Sequence, residues 1–118
     1  MIGQPSFTSN TAAATASGLS DPQGIAFDSS GNLWVSDATN GRILEFTAPL
    51  SMDEAASLVL GEPNFTTSAD PCFDTSFINA ACISLPEGLA FDSSGDLWVS
   101  DSSQNRILEF KAPFSNDE

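Results

Sequence analysis

The chain consists largely of two copies of one sequence unit. Residues 22–51 and 86–115 align without a gap at an offset of 64, and 21 of the 30 aligned residues are identical. At another offset, 58, residues 1–7 resemble residues 59–65. The offsets differ because residues 67–85, which connect the copies, carry an insertion. Repetition at such a period is typical of proteins that stack similar structural units, so the copies are expected to fold alike.

Each copy is predicted to form short antiparallel strands. Apolar, aromatic and β-branched residues favour strands in the first copy at residues 24–27, 33–36, 42–46 and 57–60. Tight turns separate them, because Asp28 can accept backbone N–H bonds, Gly31 tolerates positive φ and Asn40-Gly41 is typical of hairpins. One helical turn is predicted over residues 53–56. The chain is therefore expected to be all-β.

A single sheet of this kind has an apolar set of side chains on each face, because successive residues of a strand point to opposite sides. One set is Ile25, Phe27, Leu33 and Val35, and the other is Trp34, Ile43 and Phe46. A lone sheet of about 60 residues buries too little apolar surface and leaves one of these faces in water. Radial stacking of sheets covers both faces.

The repeated segments carry a recognisable motif. Both read Pro-x-Gly-x-Ala-Phe-Asp-Ser-Ser-Gly-x-Leu-Trp-Val-Ser-Asp, followed by Arg-Ile-Leu-Glu-Phe. This resembles the NHL repeat, which forms one blade of a β-propeller; the second copy departs from it where Gln104-Asn105 replaces Asn40-Gly41. The resemblance implies two four-stranded antiparallel blades, at residues 22–66 and 86–114. Such propellers usually have six blades, so the chain is expected to form a homotrimer.

The first residues are expected to join chains together. In propellers of this kind the opening strand often completes the last blade, and residues 1–9 are predicted to be an outer strand donated to a neighbouring chain. The second blade would lack its own outer strand and accept one. The residues expected in this exchange are Ile2, Gly3, Pro5 and Phe7. Head-to-tail contacts close a ring when their rotation allows it. The alternative is that the chain is a fragment of a longer propeller.

The charge of the chain restricts its partners and chemistry. Sixteen acidic residues against three basic ones give a net charge of −13, and histidine is absent. Such a chain repels nucleic acids and anionic membranes, so neither is an expected partner. Without histidine, Ser-His-Asp and Cys-His catalysis are excluded. A non-catalytic scaffold or binding module is expected. The alternative is a piece of a larger extracytoplasmic enzyme, lyase-like or lactonase-like, with a metal in the central channel.

Two cysteines, Cys72 and Cys82, lie in the insertion. They form no C-x-x-C pair, and a metal site is disfavoured because no histidine is present. A disulfide that closes a short loop is favoured over free thiols. It would place the protein in an oxidising compartment, so a secreted or extracytoplasmic location is expected, although residues 1–4 lack the features of a signal peptide.

Binding residues are predicted in two places. Within the insertion, Phe73, Phe77 and Ile78 are apolar residues of a loop that is expected to bind a partner or to cover a sheet edge. The resemblance places Gln23 and Glu87 near the ends of the inner strands, facing the central channel. In a trimer, three copies of Glu87 would face one another and offer a site for a cation such as calcium.

Four charged residues recur at matched positions. They are Asp37 with Arg42, and Asp101 with Arg106. Such pairs can serve catalysis, but the resemblance favours a hydrogen-bonded network that locks the hairpin. No catalytic residue is therefore predicted among them.

Two further repeated positions have alternative interpretations. Asp28 and Asp92 are expected to cap turns, with calcium binding as the alternative, since hard cations prefer carboxylates. Trp34 and Trp98 are expected to pack in the core, with stacking on a sugar ring as the alternative.

Overall fold

The computed structural model describes residues 1–67 and 83–116. Within these ranges the chain forms a four-stranded and a three-stranded antiparallel sheet and no α-helix, and nothing in them could cross a membrane as a helix. The first sheet comprises β1 (Pro22–Phe27), β2 (Leu33–Asp37), β3 (Arg42–Phe46) and β4 (Leu58–Leu60); the second comprises β5 (Pro86–Phe91), β6 (Leu97–Asp101) and β7 (Arg106–Phe110). The predicted all-β fold is confirmed.

The two sheets repeat one another in register. In both, the second and third strands pair along their whole length, and the first strand pairs with the second through a register shift near its start. The shift lies between Pro22 and Ile25 in β1, and between Pro86 and Leu89 in β5. The offset of 64 therefore relates structural positions as well as sequence positions, and each residue of one sheet has a defined counterpart in the other.

The turn between the first two strands is held by an aspartate. Asp28 Oδ1 accepts hydrogen bonds from the backbone N–H groups of Ser30 at 2.9 Å and Asn32 at 3.0 Å. Asp92 makes the matching bonds in the second sheet. Gly31 adopts φ 83°, a conformation that glycine reaches without strain. Asp28 and Asp92 thus cap turns.

The departure from the motif at Gln104-Asn105 leaves the second hairpin intact. In the first sheet, Gly41 takes the left-handed conformation with φ 64°. In the second, a short 3-10 turn over Ser102–Gln104 leads into Asn105, which takes φ 54°. Asparagine tolerates this conformation because its short polar side chain can hydrogen-bond locally.

The larger apolar cluster lies between the two sheets. On the first sheet it is formed by Trp34, Ile43 and Leu60, and on the second by Leu97, Val99 and Phe110; Ile83, from the segment before β5, completes it. Trp34 lies edge-on to Phe91 and Phe114, with ring centroids 5.6 Å and 4.9 Å away. These buried aromatic contacts join the sheets into one body.

A second cluster covers the opposite side of the first sheet. Its buried members are Leu19, Val35, Leu44, Phe46, Ala56 and Val59, and Ile2, Leu33 and Phe65 pack against it. The prediction that Phe46 shares a face with Trp34 is wrong. Phe46 pairs with Leu33 across the sheet, and residues directly opposite in an antiparallel pair lie on the same face.

Residues 1–9 form no strand within the single chain, and their donation to a neighbouring chain stays a prediction. Residues 1–7 match residues 59–65 of the first repeat, of which only Val59 and Leu60 belong to β4. Only Met1 and Ile2 therefore correspond to strand residues. Those that follow correspond to the segment that crosses from β4 toward the second sheet.

Residues 1–7 pack against their own chain in the same way as residues 59–65, which lead from β4 toward the second sheet. A Cβ added at Gly3 would lie 2.6 Å from Leu19 Cδ1, and one added at Gly61 would lie 2.9 Å from Ile83 Cδ1. The backbone oxygen of Met1 accepts a hydrogen bond from the N–H of Asp53 at 2.9 Å. The helical turn predicted over residues 53–56 is absent.

Candidate interaction surfaces

The outer sides of the two-sheet body expose apolar side chains. On the side of the first sheet, Ile25, Phe27 and Leu50 are 65%, 57% and 41% exposed; we call these three residues the leading face. On the far side of the second sheet, Trp98 and Ile107 are 40% and 64% exposed, and they belong to what we call the trailing face. The core role predicted for Trp34 holds, whereas its counterpart Trp98 is half open to solvent.

A groove of about 270 Å³ runs across the trailing face. Five of the residues that line the groove define the trailing face: Gly88, Ala90, Trp98, Ser100 and Ile107. The Ser100 hydroxyl accepts a hydrogen bond from the N–H of Gly88 at 2.7 Å. The floor of the groove is therefore backbone and small side chains, with aromatic and aliphatic walls.

Arg42 is the most extensively bonded side chain of the first hairpin. Its side chain is fully buried, and Nε lies 2.8 Å from Asp37 Oδ2, which is also fully buried. Its terminal nitrogens donate to the carbonyl oxygens of Thr15, Gly18 and Phe65. Arg42 thereby ties two connecting segments to the sheet.

Asp37 and its counterpart Asp101 accept hydrogen bonds from the segment that precedes each sheet. Asp37 accepts from the N–H of Ser20 at 2.6 Å, and Asp101 accepts from the N–H of Leu85 at 3.1 Å. Arg106 pairs with Asp101 at 3.2 Å and is 22% exposed. The geometry of both pairs is that of a structural network, with the first pair the more deeply buried.

In the first sheet an amide separates two carboxylates. Asn32 Nδ2 donates to Asp28 Oδ2 at 3.0 Å and to Glu45 Oε1 at 2.9 Å. Burial raises the pKa of Glu45, and the negative charge of Asp28 raises it further. Burial also raises the pKa of Asp28, but hydrogen bonds led by that from Trp34 outweigh it, so the pKa of Asp28 is lowered overall.

In the second sheet the same place holds three carboxylates and a lysine. Oxygens of Asp92, Asp96 and Glu109 lie within 4.8 Å of one another. Lys111 Nζ lies 3.1 Å from Glu109 and 3.8 Å from Asp96. A hydrogen bond from Trp98 lowers the pKa of Asp92, and the bond to Glu109 raises the pKa of Lys111. The oxygens form an arrangement suited to a hard cation, and the lysine already supplies positive charge.

Replacing Glu45 by Gln is expected to stabilise the fold at pH 7. The folded-state pKa of Glu45 is raised, so its ionised form destabilises the fold above that pKa, and this penalty disappears as the pH falls through it. Gln keeps the acceptor for Asn32 without the charge. The gain in the free energy of unfolding, about 0.5 kcal/mol after allowance for solvent screening, should shrink in urea unfolding curves recorded toward about pH 4.

Glu109→Gln is the matched control, because Glu109 is paired with Lys111 and its charge is compensated. That variant is expected to gain no stability at pH 7. A Glu45→Gln protein that is no more stable than the parent at this pH would contradict the interpretation.

The predicted channel residues lie at matched positions of the first strands. Gln23 and Glu87 are both exposed. The Glu87 carboxylate accepts a hydrogen bond from the Ser102 hydroxyl at 3.0 Å, and its backbone oxygen accepts one from Ser36 at 2.6 Å. Other predicted residues lie outside the described ranges, namely Cys72, Phe73, Phe77, Ile78 and Cys82.

Among the residues of these surfaces, Leu50, Gly88 and Ser100 were not predicted from the sequence to bind anything. Gly88 and Ser100 belong to the repeated motif, but the motif does not indicate a binding role for them. The signal that identifies them is the repeat, because Phe114, Gly24 and Ser36 are their counterparts and lie where the two sheets meet.

Comparison with known proteins agrees with this repeat structure. The NHL repeat matches residues 19–46 and 84–110, which contain the first three strands of each sheet. No curated protein matches the sequence significantly. Two segments of the chain, one in each sheet, thus match the NHL repeat.

Proposed function

We propose that this protein is a non-catalytic scaffold and binding module that associates with itself head to tail, three chains completing a ring of six blades. The observation that supports the proposal is the exposure of apolar side chains on both outer sides of the two-blade body. Burial of apolar surface is the main driving force of association, and large exposed apolar patches mark interaction sites.

The form of the contact between the blades permits a ring. The trailing side of the first blade meets the leading side of the second, so the contact is heterologous, and repeating one heterologous contact with a fixed rotation can close. A non-catalytic role is favoured by the Asp37–Arg42 pair, whose side chains are buried and bonded within the chain. Such a pair serves the hairpin and does not face a substrate.

The mass in solution tests this function. By native mass spectrometry or light scattering at micromolar concentration, we expect a species of three times 12.3 kDa. Each chain carries a charge of −13, so association should weaken at about 0.01 M salt, where the Debye length is about 30 Å, relative to about 0.1 M. A monomer at both salt concentrations would contradict the proposal and favour the alternative of a fragment of a larger propeller enzyme.

A further inference from the structure

The contact inside the chain shows how one blade receives the next. Trp34 of the first blade lies against Phe91 and Phe114 of the second. Beside this cluster, the Ser36 hydroxyl donates a hydrogen bond to the backbone oxygen of Glu87 at 2.6 Å. An apolar contact and a backbone hydrogen bond thus fix the register between the blades.

The two exposed faces repeat the two halves of this contact. On the leading face, Ile25, Phe27 and Leu50 are the counterparts of Leu89, Phe91 and Phe114. On the trailing face, Trp98, Ser100 and Ile107 are the counterparts of Trp34, Ser36 and Ile43. Four of the six counterpart pairs are identical and Ile25 and Leu89 are isomers, whereas Leu50 stands in place of the aromatic Phe114. Each exposed face therefore retains most of the side chains of a face that is covered within the chain.

We propose that the trailing face is a docking site for the leading face of a second copy of this chain, in the arrangement that joins its own two blades. This inference rests on the proposed function and specifies its contact. Trp98 receives Phe27 and Leu50 of the second copy, and the Ser100 hydroxyl donates to the backbone oxygen of its Gln23. Five of the eight large exposed apolar side chains in residues 1–67 and 83–116 belong to these two faces.

Two further observations favour a second copy as the occupant. Gly88 has no side chain, and a Cβ added there would meet only Ser100 Oγ within 4 Å. At its counterpart Gly24, an added Cβ would overlap the backbone oxygen of Glu87, so this position leaves room for the backbone of the next blade. The residues that define the two faces are also uncharged in a chain whose net charge is −13, and Glu109, which lies opposite Trp98 on the same side of the sheet, is paired with Lys111.

Two charge substitutions test the docking. Phe27→Glu changes only the leading face, and Ile107→Glu changes only the trailing face. Both side chains are more than half exposed, so the variants should melt like the dilute parent. Each should weaken association by roughly 100-fold, because every contact of a variant with itself buries an unpaired carboxylate.

An equimolar mixture of the two variants gives the discriminating result. The Phe27→Glu chain keeps its trailing face and the Ile107→Glu chain keeps its leading face, so we expect one native contact and a 1:1 dimer by native mass spectrometry. Gly88→Ala provides a second variant, whose added methyl group should block docking and spare folding. Gly24→Ala is its matched control and should lower stability, because it strains the contact inside the chain.

The outcomes separate the two proposals. A monomeric parent chain overturns the proposed function itself. An associating parent whose variants still associate, or whose variants fail to pair when mixed, leaves self-association standing and overturns this docking arrangement. The docking arrangement is supported if the two variants form a dimer when mixed and each variant by itself does not associate.

Discussion

Replacing Arg42 by Ala is expected to lower the free energy of unfolding by about 3–5 kcal/mol, the loss typical of a broken buried ion pair. The change removes the buried charge partner of Asp37 and the donors to three backbone carbonyls. Since small domains are stable by only about 5–15 kcal/mol, this is the largest single loss we expect from the hairpin network. Urea unfolding followed by tryptophan fluorescence measures it.

Arg106→Ala provides the matched comparison. Arg106 is partly exposed and its distance to Asp101 is 3.2 Å, so water can replace part of what is lost. We expect a loss smaller than that of Arg42→Ala by more than about 1 kcal/mol. Equal losses at the two positions would mean that burial does not distinguish the two pairs.

Replacing Trp34 by Ala is expected to cost about 3–5 kcal/mol, as for other large aromatic residues removed from a core. Trp34 is 1% exposed, packs edge-on against two aromatic rings of the second blade, and donates its indole N–H to Asp28 at 3.1 Å. Its loss opens a cavity between the blades. Unfolding followed by circular dichroism, on protein dilute enough to be monomeric, measures the change.

Trp98→Ala makes the same chemical change at the counterpart position. Trp98 is 40% exposed and faces the groove, so the dilute monomer should lose no more than about 1 kcal/mol. Association of the chains should weaken instead. If the Trp98→Ala monomer lost as much stability as the Trp34→Ala protein, Trp98 would contribute to folding as Trp34 does, and the docking role assigned to Trp98 would be contradicted.

The strands and turns were predictable because their signals are local. Predicted strands at residues 33–36 and 42–46 fall within one residue of β2 and β3, since apolar and β-branched runs between Asp and Gly turns leave few alternatives. The match of residues 1–7 to residues 59–65 did not show that β4 ends at Leu60, so the bounds of a donated strand within residues 1–9 were not predictable. The error over Phe46 was avoidable, because Phe46 follows Ile43 by three positions in β3 and alternation places the two residues on opposite faces.

The interaction surfaces were less predictable than the fold. Periodicity shows that Trp98 and Ile107 are apolar positions of a sheet, but not whether another sheet covers them. One local difference was readable from the repeat: Asp96 replaces Asn32, and Lys111 replaces Thr47 nearby. An added negative charge is thus accompanied by an added positive charge, which the structure places 3.8 Å apart.

Gly24 has a geometric consequence for any larger assembly. Contacts between strands of the two blades concentrate on β1, β2 and β5, and the missing side chain lets β1 come close to the backbone of β5. Two blades that approach most closely along one edge are inclined to each other, and a series of blades inclined in the same way curves around that edge. The absence of a side chain at Gly24 therefore contributes to the curvature of any such assembly.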